Sequence, residues 1–119
     1  SARETATDLL ELGEEVLILW NLGKGLEPTV ETKEGFRLLA LHRQGAKGDP
    51  SFNACRETTR EIAYHYNCIL SEPEHRNVAH WLVAMGACVR HLCLFVSGKM
   101  QVEGLGEFCC SAKPLREEG

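Results

Sequence analysis

The chain has 119 residues, of which 44% are hydrophobic and 25% charged, and its formal net charge is −4. This length and balance are typical of one globular domain with its own hydrophobic core, and they argue against disorder over the whole chain. A net negative charge disfavours nucleic acids and anionic membranes as partners, because basic surfaces recognise both. The acidic residues near the start predict that no signal peptide opens the chain.

Two helices are predicted in the first half of the chain. The first covers residues 5–21, where apolar side chains recur at three- and four-residue steps. This apolar stripe consists of Leu9, Leu12, Val16 and Leu19, widened by Leu10, Leu17 and Trp20. The second helix covers residues 29–43, with Gly45 as its C-terminal stop. Gly35 in its middle weakens it by about 1 kcal/mol relative to alanine.

Two further helices are predicted in the second half. The third covers residues 50–70 and begins with an Asp-Pro pair at 49–50, an N-cap acceptor followed by a proline in the first turn. Its buried seam consists of Phe52, Cys55, Thr59, Ile62, Tyr66 and Ile69. The fourth covers residues 72–97, begins with a capping box at 71–74 and ends at Gly98. Its main seam consists of Val78, Leu82, Met85, Val89, Leu92 and Val96.

The most apolar stretch of the chain, residues 79–96, lies inside the fourth helix. A helix of this length spans about 27 Å, close to the lower limit for crossing a bilayer. Arg90 would cost roughly 2.5–3.5 kcal/mol near the bilayer centre. We therefore predict a core helix and no membrane span.

These elements predict an all-α fold, a compact antiparallel four- or five-helix bundle with the helix around 72–97 central. Residues 1–113 are expected to form a single helical-bundle domain, and residues 114–119 a frayed C-terminal tail. Three apolar residues ahead of that tail are expected to dock a fifth helix or an extended strap on the bundle, namely Val102, Leu105 and Phe108.

The six cysteines are Cys55, Cys68, Cys88, Cys93, Cys109 and Cys110. Most have apolar helical neighbours, where a thiol packs as a small hydrophobe, so we predict reduced cysteines and a cytoplasmic or nuclear location. A zinc alternative starts from Cys88 and His91, because side chains three residues apart on a helix can face one ion. Further candidate ligands are Cys93, His80, Cys109 and Cys110. No CxxC pair is present, so this alternative is weak and we expect no cofactor.

No catalytic constellation stands out in the sequence. Cys88 and His91 lie in the middle of an apolar helix, which raises rather than lowers the pKa of a thiol. The carboxylates are spread along helix surfaces, where solvation and the helix dipole explain them. The glycines at 23–25 lack the pattern of a phosphate-binding loop. We therefore predict that the protein is not an enzyme.

The function predicted is that of a non-enzymatic intracellular protein–protein interaction module, an adaptor or scaffold that docks a partner helix or peptide in a groove between helices. The candidate partner-binding residues, chosen by helical phase, are Tyr64, Trp81, Phe95, Leu38, Trp20, Arg56 and Arg60. Core packing competes as an explanation for every apolar one except Tyr64. The alternatives are a homodimerisation domain, a zinc-stabilised regulatory domain and a nucleic-acid-binding domain that uses basic clusters.

Overall fold

The computed structural model describes residues 1–48 and 55–105. They form four helices, α1 (Ala2–Gly23), α2 (Arg37–Ala46), α3 (Arg56–Ser71) and α4 (Val78–Glu103). The described part of the chain contains no strand beyond an isolated bridge between Lys33 and Phe36. The predicted helical bundle is confirmed. The expected tail at 114–119, and Phe108 of the expected strap, lie outside the described residues.

The helices differ in how many neighbours they contact. α1 packs against each of the other three helices, whereas α4 packs against α1 and α3 only. A side chain at Gly13, near the middle of α1, would meet Leu38, Ile62 and Leu92 from the three other helices. α3 likewise packs against the three other helices, so α1 and α3 are the two inner helices, and α4 keeps an outward face.

The contacts also give the direction of each helix. Arg3 at the start of α1 donates to the carbonyl of Leu70 at the end of α3, at 3.0 Å, so these two helices are antiparallel. Trp20 meets Gly45 near the ends of α1 and α2, and Gly23 approaches Met100 near the ends of α1 and α4. α3 thus runs opposite to α1, α2 and α4, which share one general direction.

The predicted start of the second helix is wrong. α2 begins at Arg37, eight residues later than predicted. Glu34 and Gly35 have φ values of +54° and +84°, and Lys33 and Phe36 exchange two backbone hydrogen bonds of 3.0 Å across them. Positive φ at both central residues makes a tight two-residue turn that no helix can pass through.

The predicted stop of the second helix is also wrong. Gly45 is a buried residue inside α2, and the Trp20 indole packs against it. The Trp20 Nε1–H donates to the Gly45 carbonyl at 2.8 Å. This glycine therefore allows α1 and α2 to approach closely instead of ending α2.

The predicted ends of the fourth helix are displaced in the same direction. The capping box at 71–74 does not form, because residues 72–77 make two turns in which His75 bonds to Glu72 and Val78 bonds to His75, each at 3.0 Å. At the other end, α4 continues through Gly98 and stops at Gly104, whose φ is +66°. Val102 is consequently an exposed residue of α4 and not part of a separate element. The predicted start of the third helix at 49–50 lies outside the described residues. The prediction that this helix includes Cys55 is wrong, because Cys55 is the N-cap residue and α3 begins at Arg56.

The predicted seam of α4 is confirmed in its central part, because Met85, Val89, Leu92 and Val96 are completely buried. The helix is long and apolar enough, by length and composition, to cross a membrane, and 33% of its most apolar window is buried against the rest of the fold. Its outward face carries four exposed apolar side chains, Val83, Leu94, Phe95 and Val102.

Candidate functional site

Two of the predicted partner-binding residues belong to the core. Leu38 is 0% exposed and Trp20 is 1% exposed. Leu38 packs over Gly13 of α1, and the Trp20 indole packs on Gly45 of α2. The prediction that they line a partner groove is wrong, because both fill the space where α2 crosses α1.

The three other predicted aromatic residues reach the surface at different places. Tyr64 on α3 is 64% exposed, and Phe95 on α4 is 46% exposed. Phe95 packs against His91 with ring centroids 4.4 Å apart, whereas the half-buried Trp81 stacks on His75 at 4.6 Å. Tyr64 contacts the ring of His65 instead. Each aromatic ring has its own neighbour, so the structure does not gather the three into one groove.

The two predicted arginines, in contrast, come together with other cations. Arg56 and Arg60 line a cavity of about 560 Å³ between α2 and α3. The full lining is Lys33, Leu39, His42, Arg43, Ala46, Lys47, Arg56, Thr59 and Arg60. Five of these nine residues are Lys or Arg, and none of the described lining residues is Asp or Glu. We call this cavity the cationic groove.

Simple helix geometry explains how the cations converge. Arg56 and Arg60 lie four residues apart in the first turns of α3 and so share a helix face. Arg43 lies in the last turn of α2, and Lys47 is the residue that follows this helix. Because α2 and α3 pack against each other in opposite directions, the end of one faces the start of the other. The tight turn at Glu34 and Gly35 brings Lys33 to the same cavity.

Only part of this positive charge is balanced within the protein. Arg60 donates two hydrogen bonds to Glu34, at 3.0 and 3.1 Å, and this pairing lowers the pKa of the Glu34 carboxyl. The Nη1 atom of Arg56 lies 3.8 Å from the Oε1 atom of Glu57, which is a loose contact between exposed groups. Such surface pairs contribute little to stability, typically below about 1 kcal/mol. No described acidic side chain forms an ion pair with Lys33, Arg43 or Lys47.

His42 is the one buried titratable residue of the groove. It is 6% exposed, and its Nε2 makes no hydrogen bond to any described residue. Burial lowers the pKa of His42, and the positive charges of Arg56 and Lys33 lower it further. The imidazole is therefore kept neutral by an environment that is both apolar and positively charged.

A second cavity of about 560 Å³ adjoins the cationic groove on the other side of α2. Lys33, Arg43 and Lys47 line both cavities and so form a cationic ridge between them. The segment around Thr29 closes the second cavity, and Gln44 holds it by accepting from the Thr29 amide at 2.9 Å and donating to the Glu27 carbonyl at 2.8 Å. Together, the two cavities form a surface that is longer than a binding site for a single ion.

The cysteines show no arrangement for catalysis. Cys55, Cys68, Cys88 and Cys93 are not in disulfides, as predicted for reduced thiols. Burial raises the pKa of Cys55 to about 11, and burial together with the hydrogen bond to Glu61 raises that of Cys88 to about 11. These shifts keep both thiols protonated near neutral pH.

The described residues do not form a cluster that could bind zinc. They contain no group of three or more His, Cys, Asp or Glu side chains placed to hold one ion. The Cys88 thiol donates to Glu61 at 3.3 Å, and His91 packs on Phe95. Cys109 and Cys110 lie outside the described residues, so a site that includes them stays a prediction.

Sequence reasoning selected Arg56 and Arg60 as partner-binding residues but left out Lys33, His42, Arg43 and Lys47. One signal was available, because two pairs of cations spaced four residues apart flank the same connection between the second and third helices. Comparisons with models of protein families, with curated proteins and with solved structures find no match to this chain.

Proposed function

We propose that this protein is a non-enzymatic intracellular interaction module that binds an acidic segment of a partner protein in the cationic groove between α2 and α3. The observation that carries the proposal is the concentration of five Lys and Arg side chains around one cavity in a chain whose net charge is −4. A local field of this kind attracts an oppositely charged partner and excludes a basic one.

The shape of the surface supports a peptide rather than a small ion. Two adjoining cavities share the ridge of Lys33, Arg43 and Lys47, so an extended acidic segment can contact the ridge along several residues. Thr29 and Gln44 add polar groups to the second wall. Mostly apolar pockets with a few polar groups are typical of small-molecule sites, whereas Leu39 and Ala46 are the two apolar residues among the described lining of the cationic groove.

A nucleic acid is the competing polyanion, and the lining disfavours it. Single-stranded nucleic acids are held by aromatic side chains on which bases stack, in addition to cations. None of the described residues that line the two cavities is Phe, Tyr or Trp. The acidic segment of a protein fits this surface better.

The outward face of α4 is the alternative interaction surface, and it is the one that homodimerisation would use. Its exposed apolar residues are Val83, Leu94, Phe95 and Val102. With 26 residues, α4 is about 39 Å long, and one face about 10 Å wide covers about 400 Å². A stable interface needs about 800 Å² on each partner. The apolar face supplies about half of this area, so a dimer would need further contacts beyond this face, and we favour the groove.

The test is a binding titration with a fluorescent peptide rich in Asp and Glu, compared with the same peptide carrying Asn and Gln. We expect the acidic peptide to bind and the neutral one not to bind, and we expect high salt to abolish binding. Arg43→Gln should weaken binding about 5-fold, the equivalent of about 1 kcal/mol. Arg76→Gln is the matched control, because Arg76 is exposed in the connection between α3 and α4.

Three results would contradict the proposal. The first is equal binding of the acidic and neutral peptides. The second is an equal loss of binding in the Arg43 and Arg76 variants. The third is tighter binding of a single-stranded oligonucleotide than of the acidic peptide, which would favour nucleic-acid binding instead.

A further inference from the structure

We propose that the cationic groove recognises a phosphoryl group, carried by a phosphorylated serine or threonine in the docked partner segment. The inference rests on the proposed function and names the chemistry of the anchoring group. It follows from the number of cations, the hydrogen-bonding character of the lining, the buried histidine and the position of the α3 N-terminus.

The amount of positive charge is the first argument. Glu34 engages Arg60 and interacts electrostatically with Lys33, and Arg56 has a loose contact with Glu57. Arg43 and Lys47 form no ion pair with a described acidic residue. A carboxylate brings one negative charge, whereas a phosphomonoester brings about 1.5 to 2 near neutral pH on a compact group. Several cations around one cavity repel one another, and a dianion at that point relieves more of this repulsion than a carboxylate does.

The second argument comes from the donors and acceptors of the lining. Lys and Arg side chains are donors only, and each guanidinium presents five N–H groups in a rigid fork. The Thr59 hydroxyl donates to the Arg56 carbonyl at 2.8 Å, so its hydrogen is already used within the protein. The Lys and Arg side chains therefore supply the hydrogen-bond donors of the groove. A phosphoryl group with three acceptor oxygens matches these donors better than a carboxylate with two.

His42 is the third argument. Its side chain lines the cavity, more than nine-tenths of it is buried, and its Nε2 lacks a hydrogen-bond partner among the described residues. A buried polar nitrogen without a partner is rare in folded proteins and calls for a ligand or water. We infer that a phosphoryl group seated against His42 accepts a hydrogen bond from this imidazole after a small shift of the side chain, because the Nε2 atom is itself fully buried.

The N-terminus of α3 supplies the fourth argument. α3 begins at Arg56, a lining residue, and its N-cap residue Cys55 makes no side-chain capping bond. The first amides of a helix and the positive end of its dipole favour an anion such as phosphate. This contribution adds to the cations and to His42 at the same wall of the groove.

Glu34 defines the edge of the site. Its carboxylate already accepts two hydrogen bonds from the Arg60 guanidinium. Glu34 lies in the tight turn before α2, where its own φ is +54°. Strained residues of this kind persist where surrounding contacts hold them. Replacement by glutamine keeps the side-chain shape and releases Arg60, so Glu34→Gln should bind the phosphorylated segment more tightly than the wild type.

The experiment compares three forms of one short acidic peptide, whose central serine is unmodified, phosphorylated or replaced by glutamate. We expect the phosphorylated form to bind about 10-fold more tightly than the glutamate form. Arg43→Gln and Arg56→Gln should reduce this advantage, whereas Arg76→Gln should preserve it. Thermal unfolding of each variant checks that it is folded, and Arg43→Gln should not lower Tm because it removes one of several mutually repelling cations.

The outcomes separate this inference from the proposed function. Equal binding of the phosphorylated and glutamate peptides overturns the phosphoryl site and leaves the acidic-segment module intact. Absence of binding by all three peptides overturns both. A phosphoryl advantage that survives in both arginine variants places recognition outside the groove and overturns the inference. Tighter binding of a single-stranded RNA, or of vesicles that contain a phosphoinositide, overturns it in favour of that other source of phosphate.

Discussion

Replacing Gly45 by alanine tests the packing that underlies the groove. A Cβ atom at this position would lie 2.6 Å from the Nε1 of Trp20 and 3.3 Å from the Nδ2 of Asn21. Contacts below 3.0 Å are not tolerated, so either the indole moves or α2 separates from α1. Trp20 is almost fully buried, and its Nε1–H already donates to the Gly45 carbonyl. The substitution therefore disturbs packing and a buried hydrogen bond together.

The expected change in the free energy of unfolding is the net result of one stabilising and two destabilising effects. Alanine is a better helix former than glycine by about 1 kcal/mol, which favours the variant. Overpacking of a filled core costs about 1–3 kcal/mol, and a buried donor that loses its partner costs about 1–3 kcal/mol. We expect Gly45→Ala to lower the free energy of unfolding by about 1–5 kcal/mol.

The assay is urea unfolding of Gly45→Ala beside the matched variant Gly98→Ala. Gly98 is also inside a helix, but no described atom lies within 4 Å of the position that its Cβ would take. The same chemical change should therefore stabilise α4 by about 0.5–1 kcal/mol. We therefore expect Gly45→Ala to lower the free energy of unfolding and Gly98→Ala to raise it. A Gly45→Ala protein as stable as the wild type would refute the close approach of α1 and α2 at Trp20.

Three further predictions concern the core, the thiols and pH. Leu38→Ala should lower the free energy of unfolding by about 2–5 kcal/mol because Leu38 is fully buried, whereas Tyr64→Ala should change it by less than about 0.5 kcal/mol in the same urea titration. Cys55 and Cys88, with pKa values raised to about 11 from 9.0, should react about 100-fold more slowly with iodoacetamide than an ordinary thiol, as followed by peptide mass mapping; rapid labelling of the native protein would contradict this. The pKa of His42 is lowered in the folded protein from 6.5, so the unfolded chain binds more protons below that pH. Stability should fall as the pH decreases through 6.5, and His42→Gln should flatten that decrease in Tm.

The sequence predicts those parts of the fold that depend on apolar periodicity. Met85, Val89, Leu92 and Val96 follow the 3.6-residue repeat, and all four are buried because one continuous helix presents them to α1 and α3. The start of α2 escapes such reasoning. Glu34 adopts a positive φ that only a few per cent of non-glycine residues show, so its type gives little warning of a turn.

The assignment of partner-binding residues fails where helical phase cannot separate core from surface. Trp20 and Leu38 were candidates because each lies at the edge of an apolar stripe. α1 is contacted by three helices, so its buried arc is wider than one stripe and includes Trp20. Leu38 is buried because α2 packs against both α1 and α3. Arg56 and Arg60 are found because charge on an exposed helix face is visible in the sequence. His42 is not found, since its burial depends on how α2 packs against α3.

Lys24 shows how the fold uses a lysine to satisfy backbone acceptors. Its Nζ donates to the carbonyl of Gly45 at 3.0 Å and to that of Lys47, and so satisfies two acceptors at the C-terminal end of α2. Lys33 and Arg43 make no comparable bond to described residues, although both line a cavity with three other cations. Cations kept together without partners raise the energy of the folded state, because their mutual repulsion is not offset within the protein. An anion bound in the groove would relieve this repulsion, which is the physical reason for proposing the groove as the binding site.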